Sequence, residues 1–239
     1  MIFYPKNMNN RNIDIDFFRG IAIILMSIYH WYAVKDIRTG SINTKNTLID
    51  SFGHISRTTF IFLMGLSMNL SYQKKKKGFI DRQITRSCYL TFYAILITII
   101  TKIILPDKYI RFGILHYMSV TMTILALLSE YPQVMMLFGI IMYITYVHIN
   151  DKPSSNILLN ILGYKSDFQT IDLFPISKWI LISCLGYFVG NEFIDYEKLN
   201  NNQLISNNIL TNMIGKLGQY SLEVYIVHWF VIYGFQKLI

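Results

Sequence analysis

The sequence predicts an all-α polytopic membrane protein, a bundle of about seven transmembrane helices with one short interfacial segment. Three observations predict this class. Of the 239 residues, 53% are hydrophobic and only 15% are charged, and the mean hydropathy is +0.36. Apolar stretches recur along the chain at lengths that cross a hydrocarbon core of ~30 Å, which takes ~17–25 residues. No polar stretch is left that is long enough for a water-soluble domain, so residues 1–239 are predicted to form one membrane domain.

The seven predicted spans are residues 17–34, 52–72, 84–105, 110–128, 131–148, 176–193 and 218–238. Residues 157–164 are apolar but too short to cross, so they are predicted to be an interfacial or re-entrant piece of the long loop 149–174. The amino terminus lacks a cleavable signal pattern, so the first span is expected to stay in the mature protein. Cys88 and Cys184 lie in different spans without CxxC spacing, which argues against a disulfide framework, and no metal is expected.

The orientation follows from four consecutive lysines at 74–77 together with Arg82 and Arg86, between the second and third spans. The positive-inside rule places this loop in the cytoplasm. By alternation the amino terminus is cytoplasmic and the carboxyl terminus is outside. The net charge of +8 does not indicate nucleic acid, because the lysine run has no interleaved aromatic residues. A loop at an anionic leaflet explains it better, with a basic entry for a phosphate-bearing cytosolic ligand as the alternative.

The first span, in the segment IDFFRGIAIILMSIYH, carries two ionisable side chains, Arg19 and His30. A charge at the bilayer centre costs at least ~2.5–3.5 kcal/mol, so such residues usually have a function. Eleven residue steps along the helix separate the two by roughly 16 Å along the axis. The arginine is therefore expected near the cytoplasmic face and the imidazole deeper in the membrane.

The five histidines show a pattern on this topology, since none lies on the cytoplasmic side. They are His30, His54, His116, His148 and His228. Imidazoles from five spans opening to the outside suit proton transfer near neutral pH. For His54 and His148 an interfacial or hydrogen-bonded structural role is favoured.

In the last span Ser221, Tyr225 and His228 follow an i, i+4, i+7 spacing and share one helix face. This polar stripe is predicted to face the bundle interior, where it serves either chemistry or interhelical hydrogen bonding. Soluble-enzyme motifs such as GxSxG, the P-loop and HExxH are absent. Any chemistry must therefore come from residues within the membrane.

An ordered set of short motifs resembles the YeiB and heparan-alpha-glucosaminide N-acetyltransferase family of membrane acyltransferases. The set comprises residues 16–22 (DFFRGIA) with His30, residues 62–67 (FLMGLS), residues 112–116 (FGILH), residues 172–175 (DLFP) with Trp179, Gly186 with Gly190, and residues 221–222 with Tyr225 and His228. The match runs in order over nearly the whole chain. The resemblance implies transfer of an acetyl group from cytosolic acetyl-CoA to an amino-sugar or glycan acceptor on the far side of the membrane.

The resemblance also suggests roles for individual residues. Arg19 is expected to hold a CoA phosphate, for which a guanidinium is well suited, with Arg11, Arg82 and Arg86 as secondary candidates. His30 is expected to be the catalytic base, with His228 or Tyr225 as proton partner or oxyanion donor. A covalent acetyl-imidazole is the competing mechanism.

Acceptor contacts are expected from His54, Arg57, His116, Asp172 and Trp179, the indole by stacking and the carboxylate by hydrogen bonding. Arg57 lies nearer the outer side, so an acceptor or structural role suits it better than phosphate binding. The chain departs from the family pattern at Lys178-Trp179, at Gln219 and at Trp229-Phe230. These departures surround the outer loop and the last span, so the resemblance does not determine the identity of the acceptor.

A solute or proton-coupled transporter is the alternative function, because intramembrane Arg, Glu and His also mark transport paths. All five prolines lie in termini, loops or span edges and no internal repeat is seen, which argues against it. The resemblance further implies self-association, with a homodimer as the expectation. The abundance of Ile, Asn, Lys and Tyr suggests a prokaryotic cell membrane.

Overall fold

A computed structural model describes residues 12–40, 44, 46–201, 205 and 208–238. The regular elements among these residues are helices and one two-stranded sheet. The helices are α1 Ile13–Thr39, α2 Thr47–Lys74, α3 Phe79–Ile104, α4 Ile114–Leu127, α5 Pro132–Ile149, α6 Ile157–Leu162, α7 Ile176–Phe193, α8 Tyr196–Asn201, α9 Ile209–Gln219 and α10 Ser221–Leu238. The strands β1 Pro153–Ser154 and β2 Lys165–Ser166 pair in parallel. The all-α class is confirmed.

Each of the seven predicted spans contains a helix, and α6 occupies the segment predicted to be interfacial. Three described helices are both long and apolar enough to cross a membrane: Ile13–Ile37, Phe79–Ile104 and Pro132–Ile149. Of the rest, α2, α7 and α10 have at least 18 residues but carry more polar side chains. The 14 residues of α4 rise only about 21 Å, less than the core thickness. A membrane protein is confirmed, and the count of seven crossings stays a prediction.

The chain divides into two compact units. Unit 1 lies within Met1–Phe60 and Glu197–Ile239, and unit 2 is Ile61–Tyr196. Helix α2 contributes its first half to unit 1 and its second half to unit 2.

Unit 1 is built on close contact between α1 and α9. A Cβ added at Gly20 would overlap the carbonyl oxygen of Ile214, and one at Gly218 would overlap that of Asp16. Only glycine allows the two backbones to approach this far. Helix α2 joins them where the Ser56 hydroxyl donates to the carbonyl of Ala22, at 2.8 Å.

Unit 2 encloses an apolar core supplied by α2, α3, α4, α5 and α7. Its members are Met64, Met68, Phe79, Met122, Leu125, Ala126, Met135, Ile180, Cys184 and Tyr187. Glycines again permit close packing, because a Cβ at Gly65 would overlap the Ser183 carbonyl and one at Gly186 that of Phe62. The core fixes the helix ends from which the loops of unit 2 extend.

The long loop of unit 2 is ordered by hydrogen bonds. The buried Asn160 amide donates to the carbonyl of Ser154 at 2.9 Å and to that of Lys165 at 3.3 Å, which holds α6 over the small sheet. Further along, the amide of Phe174 donates to the Phe112 carbonyl at 2.9 Å. This second contact ties the long loop to the connection between α3 and α4.

Candidate active site

Two histidines form the centre of the candidate site in unit 1. Nδ1 of His30 on α1 lies 2.8 Å from Nε2 of His228 on α10, although 198 residues separate them in the sequence. The ring centroids are 4.9 Å apart. His228 is 8% exposed and His30 is half-buried. The sequence predicted both residues as catalytic, and the structure brings them into hydrogen-bond contact.

Backbone contacts decide which nitrogen of each neutral ring carries the proton. Nδ1 of His228 lies 2.6 Å from the carbonyl oxygen of Tyr225 and 3.1 Å from that of Val224. A carbonyl only accepts, so this nitrogen is the donor, and Nε2 of His228 is left as an acceptor. Nδ1 of His30 must then donate to it. The lone pair of His30 is consequently on Nε2, so Nε2 is the nitrogen of this ring that can accept a proton.

Tyr225 lies one helical turn before His228, and the two ring centroids are 5.5 Å apart. This is the polar stripe that the spacing of the last span predicted. The Tyr225 carbonyl is the shorter of the two contacts that orient His228. Whether its hydroxyl acts as a proton partner or oxyanion donor stays a prediction.

Arg57 on α2 belongs to the same neighbourhood. Its Cζ lies 5.6 Å from the ring centroid of Tyr29, which neighbours His30, and its Nε donates to the Gly53 carbonyl at 2.9 Å. Gly53 makes room for this packing, because a Cβ there would lie 2.7 Å from the Tyr29 ring and 2.9 Å from Arg57 Nη2. Tyr29, the ring on which Arg57 packs, is itself in edge contact with His30, with ring centroids 5.6 Å apart. A cation is therefore available beside the histidine pair.

Gln236 is a polar residue of the site that the sequence reasoning missed. Its Nε2 donates to the carbonyl of Trp31, the residue after His30, at 2.7 Å. The side chain is 5% exposed, and its Oε1 is buried without a hydrogen-bond partner among the described residues. A single glutamine near the end of an apolar span gave no signal, but its spacing of two turns from His228 continues the polar stripe.

Arg19, the predicted CoA ligand, is engaged within its own helix. Its Nη1 lies 3.1 Å from Oδ1 of Asp16, whose side chain is 1% exposed, while that of Arg19 is 22% exposed. The first turn of α1 thus holds a half-buried ion pair. Phosphate binding by Arg19 stays a prediction, and it would have to coexist with this pair.

The secondary phosphate candidates are placed less specifically. Arg11 lies outside the described residues. Arg82 donates to the carbonyl of Lys77 at 2.7 Å and to that of Lys75, so it organises the loop between α2 and α3. Arg86 is exposed on α3. Their part in CoA binding stays a prediction.

The remaining predicted contacts each have a local partner. His54 is exposed on α2, where its Nε2 lies 3.5 Å from Asp50. In unit 2, His116 Nδ1 accepts from the Gly113 amide at 3.3 Å and its Nε2 lies 3.4 Å from the Thr98 hydroxyl. Asp172 accepts from the Ile114 amide at 3.3 Å. Both side chains therefore help to cap the start of α4.

Trp179 is 6% exposed and packs on Phe174, with ring centroids 5.4 Å apart. This position gives the indole a packing role in unit 2, and sugar stacking stays a prediction. His148, for which a structural role was favoured, is exposed and bonds the Ile144 carbonyl of its own helix at 2.8 Å. Among the described residues, no three His, Cys, Asp or Glu side chains are grouped as a metal site would need.

Comparison with known proteins bears on the whole chain. No curated protein and no solved structure matches it. One family model does match, over residues 11–230 of 239, and so covers both units and the histidine pair. That family model describes the catalytic domain of heparan-alpha-glucosaminide N-acetyltransferase. The chain therefore belongs to the heparan-alpha-glucosaminide N-acetyltransferase catalytic family, a family of membrane acetyltransferases.

Proposed function

We propose that this protein transfers an acetyl group from cytosolic acetyl-CoA to an amine or hydroxyl of a sugar-like acceptor on the extracytoplasmic side. Family membership supports acetyl transfer in general. The 2.8 Å contact between His30 and His228 is the observation that supports roles for individual residues. An oriented imidazole pair inside a membrane helix bundle is a costly arrangement that acid–base catalysis explains.

The proposed reaction is a direct transfer. Nε2 of His30 accepts the proton of the acceptor amine or hydroxyl as the acceptor attacks the thioester carbonyl. The tetrahedral intermediate then expels the CoA thiolate, which takes the proton back from the His30 imidazolium. His228 keeps the ring of His30 in the required orientation by accepting a hydrogen bond from Nδ1 of His30. The positive charge of Arg57 stabilises the oxyanion that develops on the carbonyl.

The competing mechanism uses the same lone pair as a nucleophile and forms an acetyl-imidazole on His30. The two mechanisms differ before any acceptor is added. Incubation of the purified protein with radiolabelled acetyl-CoA alone leaves label on the protein only in the covalent mechanism. We expect no stable label, and an acetylated His30 peptide in mass spectrometry would overturn direct transfer.

The donor and acceptor sites follow the direction of α1. Arg19 precedes His30 by about 16 Å of helix, on the side proposed to be cytoplasmic, where its guanidinium would meet a CoA phosphate. Gln236 contacts Trp31, one residue beyond His30, where its Oε1 would accept a hydrogen bond from the acceptor. The acetyl group would thus meet the acceptor at the histidine pair.

We further propose seven membrane crossings, with the amino terminus in the cytoplasm and the carboxyl terminus outside. The exposed lysines at 74–77, at the end of α2 and in the loop before α3, support this orientation through the positive-inside rule. A prokaryotic cell membrane and a homodimer complete the proposal. Transport has no observation in its favour, and substrate uptake by proteoliposomes without an acyl donor is the result that would support it.

The first experiment measures turnover of radiolabelled acetyl-CoA by the purified protein, with and without a panel of amino sugars. We expect His30→Ala to lose transfer by about 10²–10⁴-fold, the usual contribution of a positioned base. His148→Ala is the matched control, since His148 is an exposed histidine bonded to its own helix. Arg19→Lys keeps a charge beside Asp16 but loses the planar guanidinium, so its KM for acetyl-CoA should rise with kcat retained.

Two results would contradict the proposal. Full activity in His30→Ala would remove His30 from the chemistry. Failure of the wild-type protein to bind or turn over acetyl-CoA with every acceptor would exclude it as the donor.

A further inference from the structure

Arg111 is a cation that the proposed acetyl transfer does not use. It lies in unit 2, in the connection between α3 and α4, and is half-buried. Its Cζ is 3.5 Å from the ring centroid of Phe168 and 5.0 Å from that of Tyr109. Its Nε is buried without a hydrogen-bond partner, and no acidic side chain pairs with it in the part of the chain that the structure describes. The guanidinium therefore has aromatic neighbours but no anion.

The two segments that hold Arg111 are fastened to each other. The Thr170 hydroxyl donates to the Tyr109 carbonyl at 2.8 Å. The Ile171 amide donates to the Lys108 carbonyl at 2.9 Å, and the Phe174 amide to that of Phe112 at the same distance. These bonds flank Arg111 on both sides in sequence. The guanidinium is consequently held on a rigid support, as a preorganised binding group should be.

The missing partner is an oxyanion. A guanidinium without an acidic partner favours a ligand that supplies an oxyanion, and its Nη groups, unlike Nε, are not among the buried atoms without a partner, so a ligand can reach them. Stacking on Phe168 uses the flat face of the guanidinium. Its N–H groups lie in the plane of the group, form a fork of donors and remain available for hydrogen bonds. That fork matches the oxygens of a phosphate in a bidentate manner. Lys102, whose Nζ is 5.7 Å from the Tyr109 ring centroid, adds a second cation beside the same ring.

The surroundings indicate where the phosphate comes from. Ile103, next to Lys102 near the end of α3, is 77% exposed, and such an apolar side chain in a membrane protein faces lipid. The loop that follows carries Tyr109 and Arg111, an aromatic and cationic pairing typical of the headgroup level. We propose that Arg111 and Lys102 bind the phosphate of a phospholipid headgroup at this edge of unit 2.

The test measures lipid binding by the full-length protein in detergent. Native mass spectrometry of the wild type with phosphatidylglycerol should show a retained lipid, and the unfolding temperature should rise as the lipid is added. Diacylglycerol, which has the same chains without phosphate, should do neither. Arg111→Gln should weaken phosphatidylglycerol binding about tenfold, as expected for loss of a charge-assisted pair. Lys165→Gln, which removes an exposed charge from the long loop that carries Phe168, is the matched control and should bind as the wild type does.

Three results would overturn the proposal. The first is equal phosphatidylglycerol affinity in Arg111→Gln and the wild type. The second is an Arg111-dependent stabilisation that inorganic phosphate alone fully reproduces, since the ligand would then be a soluble anion. The third is unchanged affinity in a folded Phe168→Leu protein. This second variant keeps the charge but removes the stacked ring, and it replaces Arg111→Gln if that protein fails to fold.

Discussion

The chain of contacts from the Tyr225 carbonyl through His228 to His30 gives each nitrogen a defined role. His228 receives its orientation from the backbone of its own helix. It transmits that orientation to a residue on another helix. In the proposed direct transfer only Nε2 of His30 contacts the substrate. His228 is therefore a positioning residue in that mechanism. This distinction makes the two histidines separable by experiment.

A pair of His228 variants tests the positioning role. Gln at 228 offers an amide oxygen in place of Nε2, whereas Leu offers no acceptor. His228→Leu should lower kcat by about 10²-fold or more, because a histidine that loses its orienting partner adopts the wrong tautomer. His228→Gln should recover part of that loss, with KM for acetyl-CoA unchanged in both. Equal activity in the two variants would show that the hydrogen bond to His30 does not matter.

Gln236 provides a second residue-level prediction. Gln236→Met keeps the length of the side chain but removes the amide, so the acceptor loses one hydrogen bond. The KM for the acceptor should rise about tenfold, as loss of one buried hydrogen bond implies. Hydrolysis of acetyl-CoA without acceptor should not change. Val231→Ala, at a 60% exposed position of the same helix, is the control. Equal effects on hydrolysis and transfer would argue for a structural role.

The residues that the sequence could identify are those that are costly in an apolar span. Arg19, His30 and His228 met that criterion, because an ionisable group in a membrane helix needs an explanation. Their partners did not. The contact between His30 and His228 joins residues 198 apart, and no local pattern contains it. Gln236 and Arg111 stood at span edges, where a polar side chain is ordinary.

At the scale of helices, the helices within the apolar stretches were predictable and the helix α9 was not. The seven apolar stretches were long enough to be recognised, and each contains a helix. Helix α9 has only 11 residues, including Gly215, Lys216 and Gly218, and this composition is more typical of a loop. It forms because its glycines allow close packing against α1. Tertiary contact thus overrides local propensity here.

The two glycines of α9 allow a matched comparison. Gly218→Ala should destabilise the protein by about 1–3 kcal/mol, because the new methyl group overlaps the Asp16 carbonyl and the helices must separate. A methyl group added at Gly215 would meet no atom within 4 Å. Gly215→Ala should therefore be neutral or stabilising by about 0.5–1 kcal/mol through higher helix propensity. Unfolding temperatures in detergent measure both, and equal temperatures would refute the packing argument.

For the whole molecule, the orientation in the membrane is open to a direct test. The chain has one exposed and one buried cysteine, Cys88 and Cys184. In a Cys88→Ser background, Lys165→Cys and Lys76→Cys place single reactive thiols in the two loops. A membrane-impermeant maleimide applied to intact cells should label Lys165→Cys, and Lys76→Cys only after permeabilisation. The reverse pattern would invert the proposed topology and, with it, the donor and acceptor sides.

The division into two units has a consequence for the order in which the protein is made. Unit 1 contains the first helices and the last, whereas unit 2 is one continuous stretch between them. During synthesis His30 is made before unit 2, but His228 emerges from the ribosome only after all of unit 2. In the proposed mechanism, a nascent chain therefore carries the His30 base without the partner that orients it. That mechanism predicts that catalytic competence arises only once α10 has been made, so chains that stop before α10 should not transfer acetyl groups.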